Sequence, residues 1–404
     1  MKICFFTEIY HKGGLDTFLI NIFNSWNRES DSIHLICNKT HPGLKNIINK
    51  TRKNIILETY SRLFTSRIYT NQSLNNSLES YLRGFLKFIF RLVEYPIIFP
   101  WYVFSLMLFF VRNDYDRLIV VNGGYPASLL CRCAVIAWSF SFKSKPAIMN
   151  FHNSVKASPT IRKPFENIID FFVEKYSYKI VSVSENCMNS IRSRKPFKQS
   201  KKLAFIYNGI EDPNYTNVQD IDEVKNPENY CLMLATYEKR KGHIFLLNAF
   251  KEVVKEHKNI QLRIHGYGSI DDVNRVSNKV KDLNLERNVF LGEHVQDIKN
   301  LYLNASMLVV PSQEYESFGL TIIEAMAFGI PVVTTDVGGM PEVMGKTKAG
   351  FVCSKDNYLE FANAMKSILN DAKMSKKMSN NGRKAFKSNF IAKKMTQKYI
   401  NLII

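Results

Sequence analysis

Pro311–Glu342 reads P-S-Q-E-Y-E-S-F-G-L-T-I-I-E-A-M-A-F-G-I-P-V-V-T-T-D-V-G-G-M-P-E. The apolar run Met307–Val310 that ends at Pro311-Ser312 is a short buried-strand pattern. A helix is expected over Phe318–Phe328, with Ser317 as its N-cap and Gly329 and Pro331 as its stop. Val332–Thr335 is the next strand. Amide N–H groups free at the helix start can bind phosphate or sugar oxygens. Glu316 stands just before that helix and Glu324 lies about two turns in, so both carboxylates can project to one side. One can accept hydrogen bonds from sugar hydroxyls and the other from ribose hydroxyls. Two glutamates at this spacing would equally suit a solvated helix face.

The same alternation extends in both directions. Toward the N-terminus, strands are expected at Tyr230–Ala235, Ile260–His265 and Val289–Leu291, with a helix at Ile244–His257. Before them, Glu211–Asn229 is polar and carries Pro213 and Pro227, the composition of a linker. Upstream of that, strand-like runs fall at Lys2–Thr7, Ile33–Asn38, Arg117–Asn122, Ala147–Phe151, Ile180–Val183 and Ala204–Tyr207, most of them separated by helical patterns. The glycine pair Gly13-Gly14 leads from the first strand into the amphipathic run Leu15–Trp26. Alternation of this kind predicts an α/β fold of two Rossmann-like domains facing a cleft, with ligands beyond the carboxyl ends of the strands. The expected boundaries are 1–212, a linker at 213–229, and 230–387. Phe390–Ile404, apolar at helical spacing, is expected as part of a final helix (388–404) that crosses back to the first domain.

At 404 residues the chain exceeds one ordinary core, and it has no low-complexity tract or repeat of 20–50 residues. Charge is uneven. Residues 1–210 carry 29 Lys+Arg against 13 Asp+Glu, a net +16, whereas the remainder carries 26 against 23. A basic half suggests a face that meets something anionic: nucleic acid, an anionic bilayer or a phosphorylated acceptor. Nucleic acid is the weakest of these, because no reading motif is present and the aromatics follow core periodicity. The seven cysteines form no C-x-x-C pair and sit mostly in strand-like runs, which points to reduced, buried thiols and a cytoplasmic setting. No His/Cys/Asp cluster has metal-ligand spacing, and Asp114-Tyr115-Asp116 directly precedes a strand, so no metal site is expected.

The opening residues do not fit a signal peptide, since the apolar stretch is brief and Glu8 interrupts the region after it. Tyr95–Val111 is a stronger membrane candidate, 17 residues without a charge, flanked by Arg83, Lys87, Arg91 and Arg112. Pro96 and Pro100 break its first third. A crossing there would also put segments of one sheet on opposite sides of the bilayer, so a buried or in-plane helix is expected, with possible contact to an anionic membrane.

The E-x7-E arrangement Glu316–Glu324, set in P-S-x-x-E-S-F-G-L and followed by A-M-A-x-G-x-P-V-V, resembles the family-4 group of retaining glycosyltransferases of GT-B fold. The resemblance covers nearly the whole chain. It implies that Glu316 contacts the donor sugar near its reacting end, that Glu324 holds the donor ribose, and that amides from Phe318, Gly319 and Leu320 bind sugar hydroxyls. Gly13 and Gly14 resemble the family's glycine loop, which closes on donor phosphates, and His152 in Phe151-His152-Asn153 matches the family's histidine against the donor sugar. Gly266, in Ile264-His265-Gly266-Tyr267-Gly268, resembles the G-x-G turn beside the nucleotide. Lys241-Gly242 matches the diphosphate-binding lysine. Where the family commonly has Gly-Arg five residues earlier, this chain has Ala235-Thr236, and Arg240 is expected to supply the missing charge. The implied activity is metal-independent transfer of a sugar from a UDP- or GDP-sugar to a saccharide or polyprenyl-diphosphate-linked acceptor in surface-polysaccharide assembly, with no cofactor, at the inner face of the cell membrane. The alternative is a catalytically silent GT-B partner subunit or sugar-nucleotide sensor.

Overall fold

The computed structural model describes residues 1–10, 13–61, 94–155, 157, 162–213, 230–295, 297–345 and 347–404. The linker expected at 213–229 lies outside these residues apart from Pro213. The chain divides into two units: Met1–Ile206 together with Thr396–Ile404, and Tyr207–Met395.

In the first unit, β1 (Lys2–Thr7), β2 (Ser32–Asn38), β3 (Ile55–Tyr60), β4 (Arg117–Asn122), β5 (Ala147–Phe151), β6 (Ser177–Ser182) and β7 (Leu203–Phe205) form one parallel sheet in the order β3-β2-β1-β4-β5-β6-β7. The central strands are apolar along their length because helices cover both faces; β5 is buried at every position. The helices are α1 (Gly14–Asn24), α2 (Leu44–Lys50), α3 (Phe99–Arg112, entered through a π-helical turn at Glu94–Ile98), α4 (Leu129–Phe140), α5 (Lys163–Tyr176) and α6 (Glu185–Ser190). Ser128 and Ser184 cap α4 and α6 by accepting the N–H of Cys131 and Cys187, both at 3.1 Å.

The second unit contains β8 (Tyr230–Leu234), α7 (His243–Glu256), β9 (Gln261–His265), α8 (Ile270–Asp282), β10 (Val289–Gly292), α9 (Lys299–Leu303), β11 (Met307–Val310), α10 (Leu320–Phe328), β12 (Val332–Thr335), α11 (Met340–Met344), β13 (Gly350–Cys353), α12 (Tyr358–Asn370) and α13 (Ala372–Asn389). Its parallel sheet runs β10-β9-β8-β11-β12-β13. The last helix, α14 (Ala392–Ile403), starts in the second unit, and from Thr396 onward it belongs to the first. There Tyr399 is fully buried and its hydroxyl meets the Asn150 side-chain amide of β5 at 2.7 Å.

The α/β class expected from the alternation is observed in both units. Two strands escape a reading of apolar runs, β3 and β13, and both are sheet edges. β3 alternates half-buried and exposed positions, and β13 is fully buried only at Cys353, so neither makes the continuous apolar run of an interior strand. All seven cysteines are buried and none forms a disulfide. Asp116 is occupied locally, its carboxylate accepting the Lys2 N–H at 2.7 Å, and no group of metal-ligating side chains occurs among the described residues.

Each sheet reverses its winding at one point, between β1 and β4 in the first and between β8 and β11 in the second. Loops leaving the carboxyl ends of those strands diverge onto opposite faces and open a crevice between them.

Leu262 on β9 is fully buried in the second unit's core, whereas Ile56 on edge strand β3 is half exposed. Truncating Leu262 to Ala is expected to cost about 2–5 kcal/mol of unfolding free energy. Ile56→Ala should stay within about 0.5 kcal/mol. Denaturant titration of the two variants checks the contrast.

Candidate functional site

At the reversal point of the second sheet, two loops are drawn together by backbone contacts that only glycine permits. Strand β8 leads through Ala235-Thr236-Tyr237-Glu238 to a single 3₁₀ turn, Lys239–Lys241, and Gly242 follows with φ +78° as the cap of α7. A Cβ at Gly242 would stand 1.8 Å from the Pro311 carbonyl oxygen, so both the left-handed backbone and the close approach demand glycine. The Gln313 N–H donates to the Arg240 carbonyl at 2.8 Å and ties the loop after β11 to the turn after β8.

The loop after β12 holds Glu316 from the other side. The Gly339 N–H donates to the Glu316 carbonyl at 2.8 Å. Gly338, at φ +62°, packs so closely that a Cβ there would lie 2.1 Å from the same oxygen. Held in this way, the Glu316 carboxylate accepts a hydrogen bond from Lys241 Nζ, and each side chain keeps 17% exposure. The pair is thus half-buried and reachable from solvent. A pair in that position adds little to stability, because desolvation offsets its attraction. It leaves an ammonium and a carboxylate poised at a sheet's ligand-binding edge.

The helix after this loop starts later than expected. It begins at Leu320, not Phe318, and its cap is Gly319 at φ +83° with no side-chain hydrogen bond; Ser317 is not the N-cap. Phe318 is a packing residue, 2% exposed and set against the rings of Tyr207 (5.9 Å) and Phe390 (6.0 Å), so it anchors the loop while its amide stays part of the backbone turn. A glycine at the cap replaces a side-chain acceptor that would otherwise occupy the free N–H groups of Leu320 and its neighbours.

Glu324 lies on α10 within reach of Tyr302 of α9, whose hydroxyl donates to its Oε2 at 2.9 Å. Burial raises the Glu324 carboxyl above its ordinary range, and the Tyr302 hydrogen bond partly offsets this. Tyr302 positions Glu324 and was invisible to sequence pattern, because an aromatic in a short helix signals only packing. Arg240 is already engaged: Nε meets Glu238 Oε2 at 2.6 Å and Nη1 reaches the Tyr315 carbonyl at 3.3 Å. Thr236, at the position where the family carries arginine, donates its hydroxyl to Glu238 at 2.8 Å, so Thr236, Glu238 and Arg240 form one local network. Gly266 sits where a Cβ would stand 1.8 Å from the Ala235 carbonyl, which lets the β9 loop pass close to the β8 loop.

The remaining predicted residues belong to the first unit. Gly13 is extended (φ 174°) and Gly14 opens α1, again with no side-chain cap. A Cβ at Gly13 would meet nothing within 4 Å, so the glycine faces open space at a helix start. His152 follows β5, with its ring 4.5 Å from Phe18 of α1. Burial pushes its pKa down to about 3, so the imidazole is neutral, and its Nε2 is buried without a hydrogen-bond partner among the described residues.

Residues 216–385 match the family model described as glycosyl transferases group 1. The match lies within the second unit. Among curated proteins the chain is 26% identical over 239 residues to N-acetyl-alpha-D-glucosaminyl L-malate synthase of Bacillus anthracis, covering 58% of this chain and 61% of that one. It is 26% identical over 300 residues to the capsular polysaccharide biosynthesis glycosyltransferase CapM of Staphylococcus aureus, covering 71% and 76%. Among solved structures, HepE of Anabaena in complex with UDP superposes with TM-score 0.73 at 17% identity over 99% of both chains. TarM of S. aureus, solved with fondaparinux, alpha-GlcNAc-glycerol and UDP, gives 0.69 at 14% over 99% of both. At such identities the structural likeness establishes the fold alone, which is GT-B.

Gly338→Ala must displace the Glu316 carbonyl and should cost at least about 1 kcal/mol. Gly13→Ala, with open space around it, should be neutral or stabilising by up to about 1 kcal/mol. Thermal unfolding of the two variants separates a glycine the site needs from one the fold tolerates losing.

Proposed function

We propose that the chain is a retaining glycosyltransferase that moves a sugar from a UDP- or GDP-sugar onto a saccharide or lipid-linked acceptor, in the cytoplasm, during surface-polysaccharide assembly. The observation that carries this is the Lys241–Glu316 pair at the reversal point of the second sheet, within the residues that match the family. The UDP held by HepE and TarM supports a nucleoside-diphosphate donor, and the capsule role in the name of CapM supports a polysaccharide product. Seven buried thiols in no disulfide suit a reducing compartment.

Without donor, Lys241 and Glu316 satisfy one another. A diphosphate is the stronger partner for an ammonium, being more highly charged, so donor binding would draw Lys241 onto phosphate and free the Glu316 carboxylate for sugar hydroxyls. The bond from the anomeric carbon to the diphosphate oxygen then breaks, with its electron pair leaving on phosphate, where Lys241 stabilises it. Arg240 adds cationic charge if its guanidinium swings from Glu238. The acceptor hydroxyl attacks the oxocarbenium-like carbon on the face the phosphate left, and its proton passes to the departing phosphate oxygen. Positive side chains supply the charge that a metal ion supplies in other transferases. Glu324, positioned by Tyr302, is assigned to the ribose, and the open amides of Phe318, Gly319 and Leu320 to sugar oxygens, with Gly266 beside the nucleotide. On the family resemblance, Gly13 and Gly14 are assigned to donor phosphate, and the neutral His152 imidazole, whose Nε2 has no partner among the described residues, to a donor sugar hydroxyl.

Lys241→Ala and Glu316→Ala should each lower transfer by at least about a hundredfold while the circular dichroism spectrum and melting temperature stay near parental values. Product NMR should show the donor's anomeric configuration retained. Parental transfer rates in either variant would remove that residue from the mechanism, and an inverted product would overturn retention.

A further inference from the structure

The first unit exposes an apolar face whose charges have been sorted by sign. On α5 the exposed residues are Lys163, Pro164, Phe165, Ile168, Phe171 and Lys175, with Ile168 54% accessible. The acids of α5 point elsewhere. Glu166 and Asp170 are buried against Arg132 and Arg194, with Arg132 Nη1 2.8 Å from Glu166 and Arg194 Nε 2.6 Å from Asp170. Glu174 is half-buried and accepts the Ser200 hydroxyl at 2.8 Å.

The segment Glu94–Arg112 repeats the arrangement. Its exposed residues are Pro96, Ile97, Pro100, Trp101, Phe104, Val111 and Arg112, and Glu94 is buried beside Arg162 (3.4 Å). Ile97, Trp101 and Phe104 follow helical spacing on one side, with Ile97 and Trp101 each 62% exposed, while Tyr102, Leu106 and Phe110 face the core, Phe110 packing on Trp138 of α4. The two stripes meet where the rings of Tyr95 and Phe165 stack at 5.4 Å. The result is two stripes of large apolar side chains that adjoin at Tyr95 and Phe165 and carry Lys163, Lys175 and Arg112, with no exposed acid on either helix.

Glu94–Arg112 is long and apolar enough to cross a membrane. The sheet topology is incompatible with a single crossing by this segment. The segment joins β3 to β4, and β4 pairs directly with β1 in the same sheet, so a span would tear β4 from its neighbour. A helix that is apolar outward and anchored inward is suited to lie along an interface.

We infer that α3 and α5 form one docking face that seats the first unit on an anionic lipid surface, the aromatic and aliphatic side chains entering the acyl boundary and Lys163, Lys175 and Arg112 meeting the headgroups. Charge complementarity selects this occupant: the residues 1–210 that carry the face have a net charge of +16. The inference rests on this face and not on the glycosyltransferase assignment, and it can hold if that assignment fails.

The chain carries its own reporter. Of its three tryptophans, Trp26 and Trp138 are buried and Trp101 lies in the face. The full-length protein is mixed with vesicles of phosphatidylcholine alone or with a third phosphatidylglycerol, and tryptophan emission, acrylamide quenching and flotation are followed. With anionic vesicles the emission should shift to shorter wavelength, acrylamide access should fall, and high salt should weaken binding. Ile168→Ser with Phe171→Ser, on the helix that lacks the reporter, should weaken binding roughly tenfold or more. Lys163→Glu with Lys175→Glu should abolish the preference for anionic lipid. Because all four side chains are exposed, each double variant should melt near the parental temperature. Three results would overturn the inference: unshifted emission with both vesicles at low salt, parental flotation of both double variants, or Trp101 shielded without lipid in a concentration-dependent dimer. The last would assign the face to a second copy of this chain.

Discussion

Everything proposed for the second unit depends on three loops packed to contact distance at one edge of a parallel sheet. Gly242 and Gly338 have left-handed backbones and leave no room for a Cβ, and through them the loops after β8 and β12 press on the loop that carries Glu316. Backbone contacts thereby place a lysine from one loop against a carboxylate from another. Side-chain entropy makes such pairs costly to hold in one geometry at an open surface. Here the Gly339 N–H fixes the Glu316 carbonyl and the Gln313 N–H fixes the neighbouring turn, so most of that ordering belongs to the fold.

That packing also suits the pair to the proposed chemistry better than to stability. Two half-buried opposite charges gain little from each other once desolvation is counted. Either can be withdrawn by a stronger partner without unfolding anything. Glu324 differs, because its carboxyl is raised by burial and oriented by the Tyr302 hydroxyl, so it is a fixed acceptor. The first unit supplies groups of another kind: a helix start without a side-chain cap at Gly13-Gly14, and an imidazole kept neutral by burial.

Much of this was legible in the residues. The interior strands announce themselves because a parallel strand covered on both faces is apolar throughout, and Lys2–Thr7, Arg117–Asn122, Ala147–Phe151, Met307–Val310 and Val332–Thr335 are observed at the predicted bounds. Edge strands β3 and β13 lack that signature. The E-x7-E segment located Glu316 and Glu324, yet the helix start was misplaced because Ser317 is a good cap by composition, while the actual cap is set by the left-handed Gly319. Tyr302, the Glu238–Arg240 bond and the glycine contacts are tertiary and leave no periodic trace. The outward face of α5 was hidden for the same reason: Glu166, Asp170 and Glu174 make the helix look mixed in charge until burial shows which way they point.

The central claim is that Lys241 and Glu316 exchange each other for the two ends of one nucleotide sugar. Isothermal titration of the parent, Lys241→Met and Glu316→Gln with UDP and with UDP-sugars, and with the GDP series if those fail, measures it most directly. The account predicts that Lys241→Met weakens binding of nucleoside diphosphate and nucleotide sugar alike. Glu316→Gln should spare the free diphosphate and lose the added affinity contributed by the sugar. Parental affinities in both variants for a donor the parent binds would contradict it.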